Sequence, residues 1–403
     1  MRVLVIGAGG VGAAFARIAA VRQSFEAVVL ADYDMARAER AAKAAGAGFS
    51  ALRLDASDEA AITAVLAAGD FDAVLNAVDA RFVMPIFRAC LAAKVTYLDM
   101  GMSLSQPHPT DPYTTCGVKL GDEQFALAKD FEDAGVLALV GMGVEPGLAD
   151  VFARYAADEL FSEITELGVR DGSNLVVDGY DFCPSFSIWT TIEECLNPPV
   201  IFEKDRGWFT TAPFSEPEVF VFPGGIGPVE CVNVEHEEVV LMPRWVDAGR
   251  VTFKFGLGDT FISVLKTLHQ LGLDKVEPVT VRGGTVSPRD VVAASLPDPA
   301  EIGHLMHGQT CAGLLVTGTS KEGAPREVYL HHVADNDWCM EHYGAQAVVW
   351  QTAINPVLAL ELLASGAWSG VGVLGAEAMA PKPFLDLLAA SDSPWAMEER
   401  TPA

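Results

Sequence analysis

Arg2-Val3-Leu4-Val5-Ile6-Gly7-Ala8-Gly9-Gly10-Val11-Gly12 places an apolar run directly ahead of three spaced glycines. The run reads as a strand and the residues after it as the start of an Ala-rich helix. Gly7 lets the chain turn tightly off the strand, Gly9 lets the backbone approach a pyrophosphate, and Gly12 lets the helix pack close to the sheet. The N–H groups of Gly10 and Val11 open that helix and face an anion with the favourable end of its dipole. Asp32 follows about twenty residues beyond Gly12, at the end of a second apolar run. An acid there accepts hydrogen bonds from the ribose hydroxyls and repels a 2′-phosphate, so NAD is favoured over NADP. A dinucleotide site is the first expectation.

Strand-like runs alternate with helical patterns as far as Gly147. Strands are expected at Val3–Ile6, Val28–Ala31, Ala51–Leu54, Val74–Asn76, Thr96–Leu98 and Leu137–Val140. Helices are expected at Gly10–Val21, Met35–Ala45, Asp58–Ala67, Arg81–Ala93 and Glu123–Ala134. This alternation predicts an α/β fold: a Rossmann doubly wound parallel sheet with right-handed crossovers. Asp32, Asp55, Asn76 and Asp99 then stand at strand ends on the ligand edge. The long connection Gly101–Gly121 leaves that same edge and is expected beside the nicotinamide half of the site; a surface excursion is the competing reading.

Beyond Gly147 the pattern changes. A linking helix over Gly147–Leu160 leads into strand-like runs at Glu166–Val169, Val200–Phe202, Val219–Phe222, Val239–Met242 and Val251–Phe255, with helices at Thr260–Leu271 and Ser287–Ala294. That is an inserted α+β domain. Helical periodicity returns at Ala345–Leu363, and only Glu398–Ala403 look frayed. The expected division is a dinucleotide-binding domain over 1–147, an α+β substrate and dimerisation domain over 148–342, and a C-terminal return over 343–403 that packs on the first.

The chain of 403 residues carries 54 acidic side chains against 27 basic ones, a net charge of −27. Such a field disfavours nucleic acid and anionic membranes and suits a cationic or zwitterionic small molecule. The uncharged stretch Tyr343–Leu360 contains Gln346, Gln351, Asn355 and Pro356, which argues against a membrane span. Seven scattered cysteines without a CxxC pattern read as free thiols in a reducing compartment, and a cytoplasmic protein is expected.

Several stretches resemble the saccharopine dehydrogenase-like family. They include Val5–Gly12, Asp55-Ala56-Ser57-Asp58, Val74-Leu75-Asn76-Ala77, Val95–Asp99 and Gly143-Val144-Glu145-Pro146-Gly147. Gly256-Leu257-Gly258-Asp259, Ser295–Pro299 and Cys311-Ala312-Gly313 are similar to the carboxynorspermidine dehydrogenase branch in particular. The resemblance covers most of the chain. It implies a Rossmann domain, an inserted catalytic domain and a C-terminal return. It also implies NAD(P)-dependent oxidation of a CH–NH group, or the reverse condensation of an amine with a carbonyl. A lysine-derived amine is the leading substrate expectation, with lysine 6-dehydrogenase and carboxynorspermidine dehydrogenase activities as alternatives. A non-catalytic NAD(H) sensor is the alternative of another class. NADP-using relatives carry Ser-Arg or Cys-Arg where this chain has Ala31-Asp32, so the cofactor position resembles the NAD-linked branch.

The chemistry needs a proton acceptor or donor beside the reacting carbon. His236, among Glu235, Glu237 and Glu238, is the leading candidate, because those acids raise its pKa; a solvated surface histidine is the ordinary reading. Asp99 and Glu145 are further candidates, or else turn caps. Pro146 and Gly147 are expected to offer backbone to the nicotinamide, and Asp55, Ala56, Asn76 and Ala77 to line the cofactor groove. An amino-dicarboxylate would need cationic forks, for which Arg244, Lys254 and Arg170 are candidates. Trp189, Trp208 and Trp245 read as core or interface residues. No metal site is expected: His304 and His307 share a helical face but lack a third ligand. The expected partners are a small-molecule amine and a second copy of the chain.

Overall fold

A computed structural model describes residues 1–299 and 301–401. The first expectation is met closely. β1 (Arg2–Ile6), β2 (Ala27–Asp32), β3 (Phe49–Arg53), β4 (Ala73–Asn76), β5 (Thr96–Asp99) and β6 (Leu137–Leu139) alternate with α1 (Gly10–Ala19), α2 (Met35–Ala45), α3 (Glu59–Ala68) and α4 (Val83–Ala93). The strands pair in parallel, and a seventh strand, Gly372–Leu374, closes the edge to give the order Gly372–Leu374, β6, β5, β4, β1, β2, β3. Strand order reverses between β1 and β4, so their C-terminal ends open the crevice in which such sheets bind ligands. Gly7 and Ala77 stand on its two sides.

The glycines at that crevice are fixed by contact. Gly7 adopts φ +108°, and a Cβ there would lie 2.3 Å from the Ala77 carbonyl oxygen. At Gly12 a Cβ would lie 1.9 Å from the Gly7 carbonyl oxygen, so only glycine lets α1 approach β1. A Cβ on Gly9 would meet no protein atom and would fill the groove itself.

The inserted domain is a nine-stranded mixed sheet. Its spine is Ala248–Gly256 parallel to Phe161–Ser173, then Gln309–Ser320 and Pro325–Asp335 antiparallel. Three expectations change here. Val239–Met242 is not a strand: Glu238–Leu241 is a helical turn that continues into the 3-10 turn Met242–Arg244. A short, fully buried apolar run has no period by which a strand can be told from a helix. His304 lies in a 3-10 turn and His307 in a strand, so the two do not share a helical face. Ala396–Arg400 does not fray; it forms the last strand of the second sheet, paired with Pro325–Asp335.

The C-terminal segment packs on α1 of the first domain. Helix Ala347–Ser365 is long and apolar enough to cross a membrane by composition, but most of it is buried against α1 and the second sheet. Its polar residues are spent internally: Gln351 donates to the His332 carbonyl at 2.9 Å, and Asn355 to the Gln351 carbonyl at 2.8 Å. Arg17 of α1 donates to the Tyr343 carbonyl at 2.8 Å, which ties the return to the glycine-loop helix.

Candidate active site

The crevice holds two adjoining cavities. Its adenosine end is a cavity of about 280 Å³ lined by Gly7, Gly9, Asp32, Arg37, Asp55 and Ala56. Its other end is a cavity of about 220 Å³ between the domains, to which Val11, Asn76, Glu145, Pro146 and His236 contribute. Ala77, Val78 and Asp79 line both. The cofactor residues read from sequence are thereby brought together, apart from Gly10 and Gly12, which shape α1, and Gly147. Asp32 Oδ2 accepts from Ala8 N at 3.0 Å and Oδ1 from Asp34 N at 2.9 Å, so this carboxylate also braces the glycine loop. Asn76 donates to the Tyr97 hydroxyl at 3.0 Å and accepts from Val78 N at 3.2 Å, which fixes its amide at the groove floor. Gly147 N donates to Asp150 Oδ2 at 2.7 Å and is therefore not free to bind a ligand.

The interdomain cavity is acidic. Asp79, Glu145, Glu193, Glu194, Glu235 and Glu237 line it, while among the described residues no lysine or arginine does. Asp79 and Glu193 are neutralised by Arg81 and Arg289. Burial pushes the Glu194 carboxyl up to about 8 and Glu235 up to about 7, and it raises Glu145 well above the ordinary range. Glu235 accepts from Ser105 Oγ at 2.8 Å and Asn197 Nδ2 at 3.0 Å. Met102 N donates to a Glu237 carboxylate oxygen at 3.1 Å. Met102 and Ser105, both in the long Gly101–Gly121 connection, thus reach across to the second domain.

His236 is buried, not solvated. Its ring lies flat on Phe253, with centroids 3.8 Å apart and planes 4° apart. Nδ1 meets Glu238 at 2.5 Å and Glu237 at 3.4 Å. Burial alone would lower the imidazole pKa, but the charges of Glu238, Glu237 and Glu194 outweigh it and carry it up to about 10. The sequence led us to expect a base titrating near neutrality; the site instead holds an imidazolium there, which is a proton donor. His236, Glu237 and Glu238 also bring potential ligand atoms within 4.8 Å of one another. The His236–Glu238 bond uses that donor set as an ion pair.

Other candidates are placed elsewhere. Asp99 is wholly buried below the cavity and accepts from Gly141 N at 2.6 Å, Gln124 Nε2 at 2.8 Å and the Tyr97 hydroxyl at 2.9 Å. It joins strand ends and leaves no oxygen facing a substrate. Arg170 and Lys254 are register partners in adjacent strands, and both pair with Glu218. Side chains alternate along a strand, so these two cations face away while Asp171 and Phe253 face the site. Asp171 contacts Glu145, and burial raises it to about 6. Arg244 bonds the Val240 carbonyl at 3.0 Å and stacks on Phe125 at 3.6 Å, away from the cavity. Trp189 was read as core or interface, but it lines the cavity between Arg81 and Arg289, at 4.3 Å and 4.6 Å from its ring centroid. Glu193 and Glu194 on the same helix were missed, because nothing local marks a helix of the second domain as facing the first.

The comparisons agree with this geometry. Residues 3–139 match the family model for the saccharopine dehydrogenase NADP binding domain, and residues 143–392 match that for the saccharopine dehydrogenase C-terminal domain. The chain is 29% identical over 413 aligned positions to a carboxynorspermidine synthase of Vibrio alginolyticus, covering 100% of this chain and 98% of that one. It is 28% identical over 396 positions to a carboxyaminopropylagmatine dehydrogenase of Synechocystis sp., covering 98% and 96%. Its fold superposes with a TM-score of 0.70 on apo saccharopine dehydrogenase (L-Glu forming) of Saccharomyces cerevisiae, at 15% identity and with 99% and 100% of the chains covered. With the glycine loop, the interdomain cavity and both domain matches in place, the chain belongs to the saccharopine dehydrogenase family of NAD(P)-dependent oxidoreductases.

Proposed function

We propose that this enzyme joins a small diamine or polyamine to a carbonyl compound and reduces the resulting imine, with NAD(H) as cofactor. The observation that carries this reading is the interdomain cavity: among the described residues six carboxyl groups line it and no arginine or lysine does. A dicarboxylic amino acid such as glutamate would find no cationic partner in the described lining other than His236, which Glu237 and Glu238 already hold. A substrate with two ammonium groups would favour ionisation of the carboxyls that burial otherwise keeps protonated and would pair with them. The names of the two bacterial relatives fit an amine substrate of this kind.

The bound nicotinamide supplies the hydride. The protein's own groups manage protons and charge. Beside a substrate ammonium the Glu194 carboxyl, raised to about 8 by burial, gives its proton to solvent; the carboxylate then takes the ammonium proton, which frees the amine to attack the carbonyl carbon. His236, held as the imidazolium, donates a proton as the carbinolamine loses water and the iminium forms. Glu237, which lies beside the His236 imidazolium and accepts from Met102 N, contributes negative charge near the iminium. Asp32, 6% exposed and facing the adenosine cavity, supports NAD over NADP. A homodimer in the cytoplasm is the proposed setting; the seven free cysteines support a reducing compartment.

The direct test follows nicotinamide absorbance with a panel of diamines, monoamines and amino acids, each with a small aldehyde acid. Diamine-dependent oxidation of NADH supports the proposal. Turnover confined to glutamate or lysine contradicts it, and NADH binding without turnover on any amine points to the sensor alternative.

A further inference from the structure

Cofactor choice at Asp32 involves a second residue that sequence spacing does not reveal. Arg37 lies in the first turn of α2, and its guanidinium lines the adenosine cavity with Asp32 and Tyr33. Arg37 Nη1 is 3.8 Å from Asp32 Oδ2, and its Cζ is 5.8 Å from the centroid of the Tyr33 ring. Among the described residues no other carboxylate pairs with it. The side chain is 39% exposed, so it can move within the mouth of the cavity. Asp32, by contrast, is held rigidly by Ala8 N and Asp34 N.

These positions set two opposite charges side by side at the space where the adenosine ribose is expected. A guanidinium is the natural receptor for a phosphate, through paired charge-assisted hydrogen bonds. Here a fixed carboxylate neutralises that receptor and would itself repel the phosphate. We propose that Arg37 is the second determinant of cofactor specificity. It is the cation that receives a 2′-phosphate once the Asp32 carboxylate is removed, so the chain holds an NADP site masked by one acid. The inference rests on the adenosine end lying in this cavity, as the reading above requires, and not on which amine the enzyme uses.

The test is equilibrium titration of NADH and NADPH, followed by nicotinamide fluorescence, on the wild type, Asp32→Asn, Arg37→Ala and the double variant. Asn keeps an acceptor for a loop N–H, and NADH binding by each variant reports an intact fold. Asp32→Asn is expected to tighten NADPH relative to NADH by at least about tenfold, the value of one hydrogen bond to a charged group. The double variant is expected to lose that gain, and added salt to weaken NADPH binding only where Arg37 remains. A double variant that binds NADPH as well as Asp32→Asn would overturn the role of Arg37. Equal affinities in the wild type would overturn the mask. An error in the amine assignment shows instead as NADH binding that is intact without amine turnover, and these titrations read the cofactor end separately.

Discussion

His236 Nδ1 lies 2.5 Å from Glu238 Oε2, with the imidazole flat on Phe253 and Glu238 wholly buried beneath it. This pair makes His236 a proton donor at neutral pH. Changing His236 to Asn or Gln is therefore expected to lower kcat by roughly 10²–10⁴-fold, the usual contribution of a general acid. NADH affinity should remain within about twofold, since a hydrogen bond to the cofactor would be worth more than that. In the wild type the condensation rate should fall as pH rises past about 10, where the imidazolium is lost. Rapid-mix NADH oxidation across pH, with NADH titration beside it, checks both outcomes. A variant with full kcat removes His236 from the mechanism.

The same burial makes a claim about stability. Asp99, Asp171, Glu194, Glu235 and Glu377 are all raised, to about 7, 6, 8, 7 and 7, by burial in each case. His236 is raised to about 10 by its acidic neighbours against the pull of burial. Each keeps a proton in the folded state that the unfolded chain has already released. Stability therefore falls as pH rises through those folded values. His332, lowered to about 4 by burial, opposes this trend only between about 4 and its ordinary value. Tm measured from pH 5.5 to 9 is expected to decline steadily, and a saturating diamine to flatten the decline by pairing with the ionised carboxylates. A Tm that rises over this range would count against the buried carboxyl cluster.

Arg170 illustrates a cation that sequence scarcity singled out and the fold assigns elsewhere. It is 3% exposed and pairs with Glu218, which also holds Lys254. Arg170→Ala is expected to cost about 2–3 kcal/mol of stability, because it removes charge-assisted hydrogen bonds from a buried side chain while the half-buried Glu218 keeps Lys254 as its partner. The amine KM of the folded fraction should not change. Chemical denaturation together with steady-state kinetics separates the two, and a selective rise in KM would return Arg170 to the substrate site.

The nucleotide half was legible because its information is local. One strand, one turn and one helix follow in sequence, and the glycines there are fixed by contacts to Ala77 and Gly7. The substrate half was legible only in part. The acids around His236 were visible, but their burial depends on Met102, Ser105 and Trp189, which come from other elements. That Arg170 faces away while its neighbour Asp171 faces the site is a matter of strand phase, and a one-residue step reverses the face. Reading Val239–Met242 as a strand had the same origin, since a short apolar run carries no period.

The central claim is that the cavity's carboxylates read positive charge on the substrate. The decisive measurement is kcat/KM for a diamine and for the monoamine of equal length, in the wild type and in Glu194→Gln/Glu235→Gln. The account expects the wild type to prefer the diamine by about tenfold or more, and the double variant to lose that preference with NADH affinity unchanged. Equal use of the two amines by the wild type, or an unchanged preference in the double variant, would contradict it.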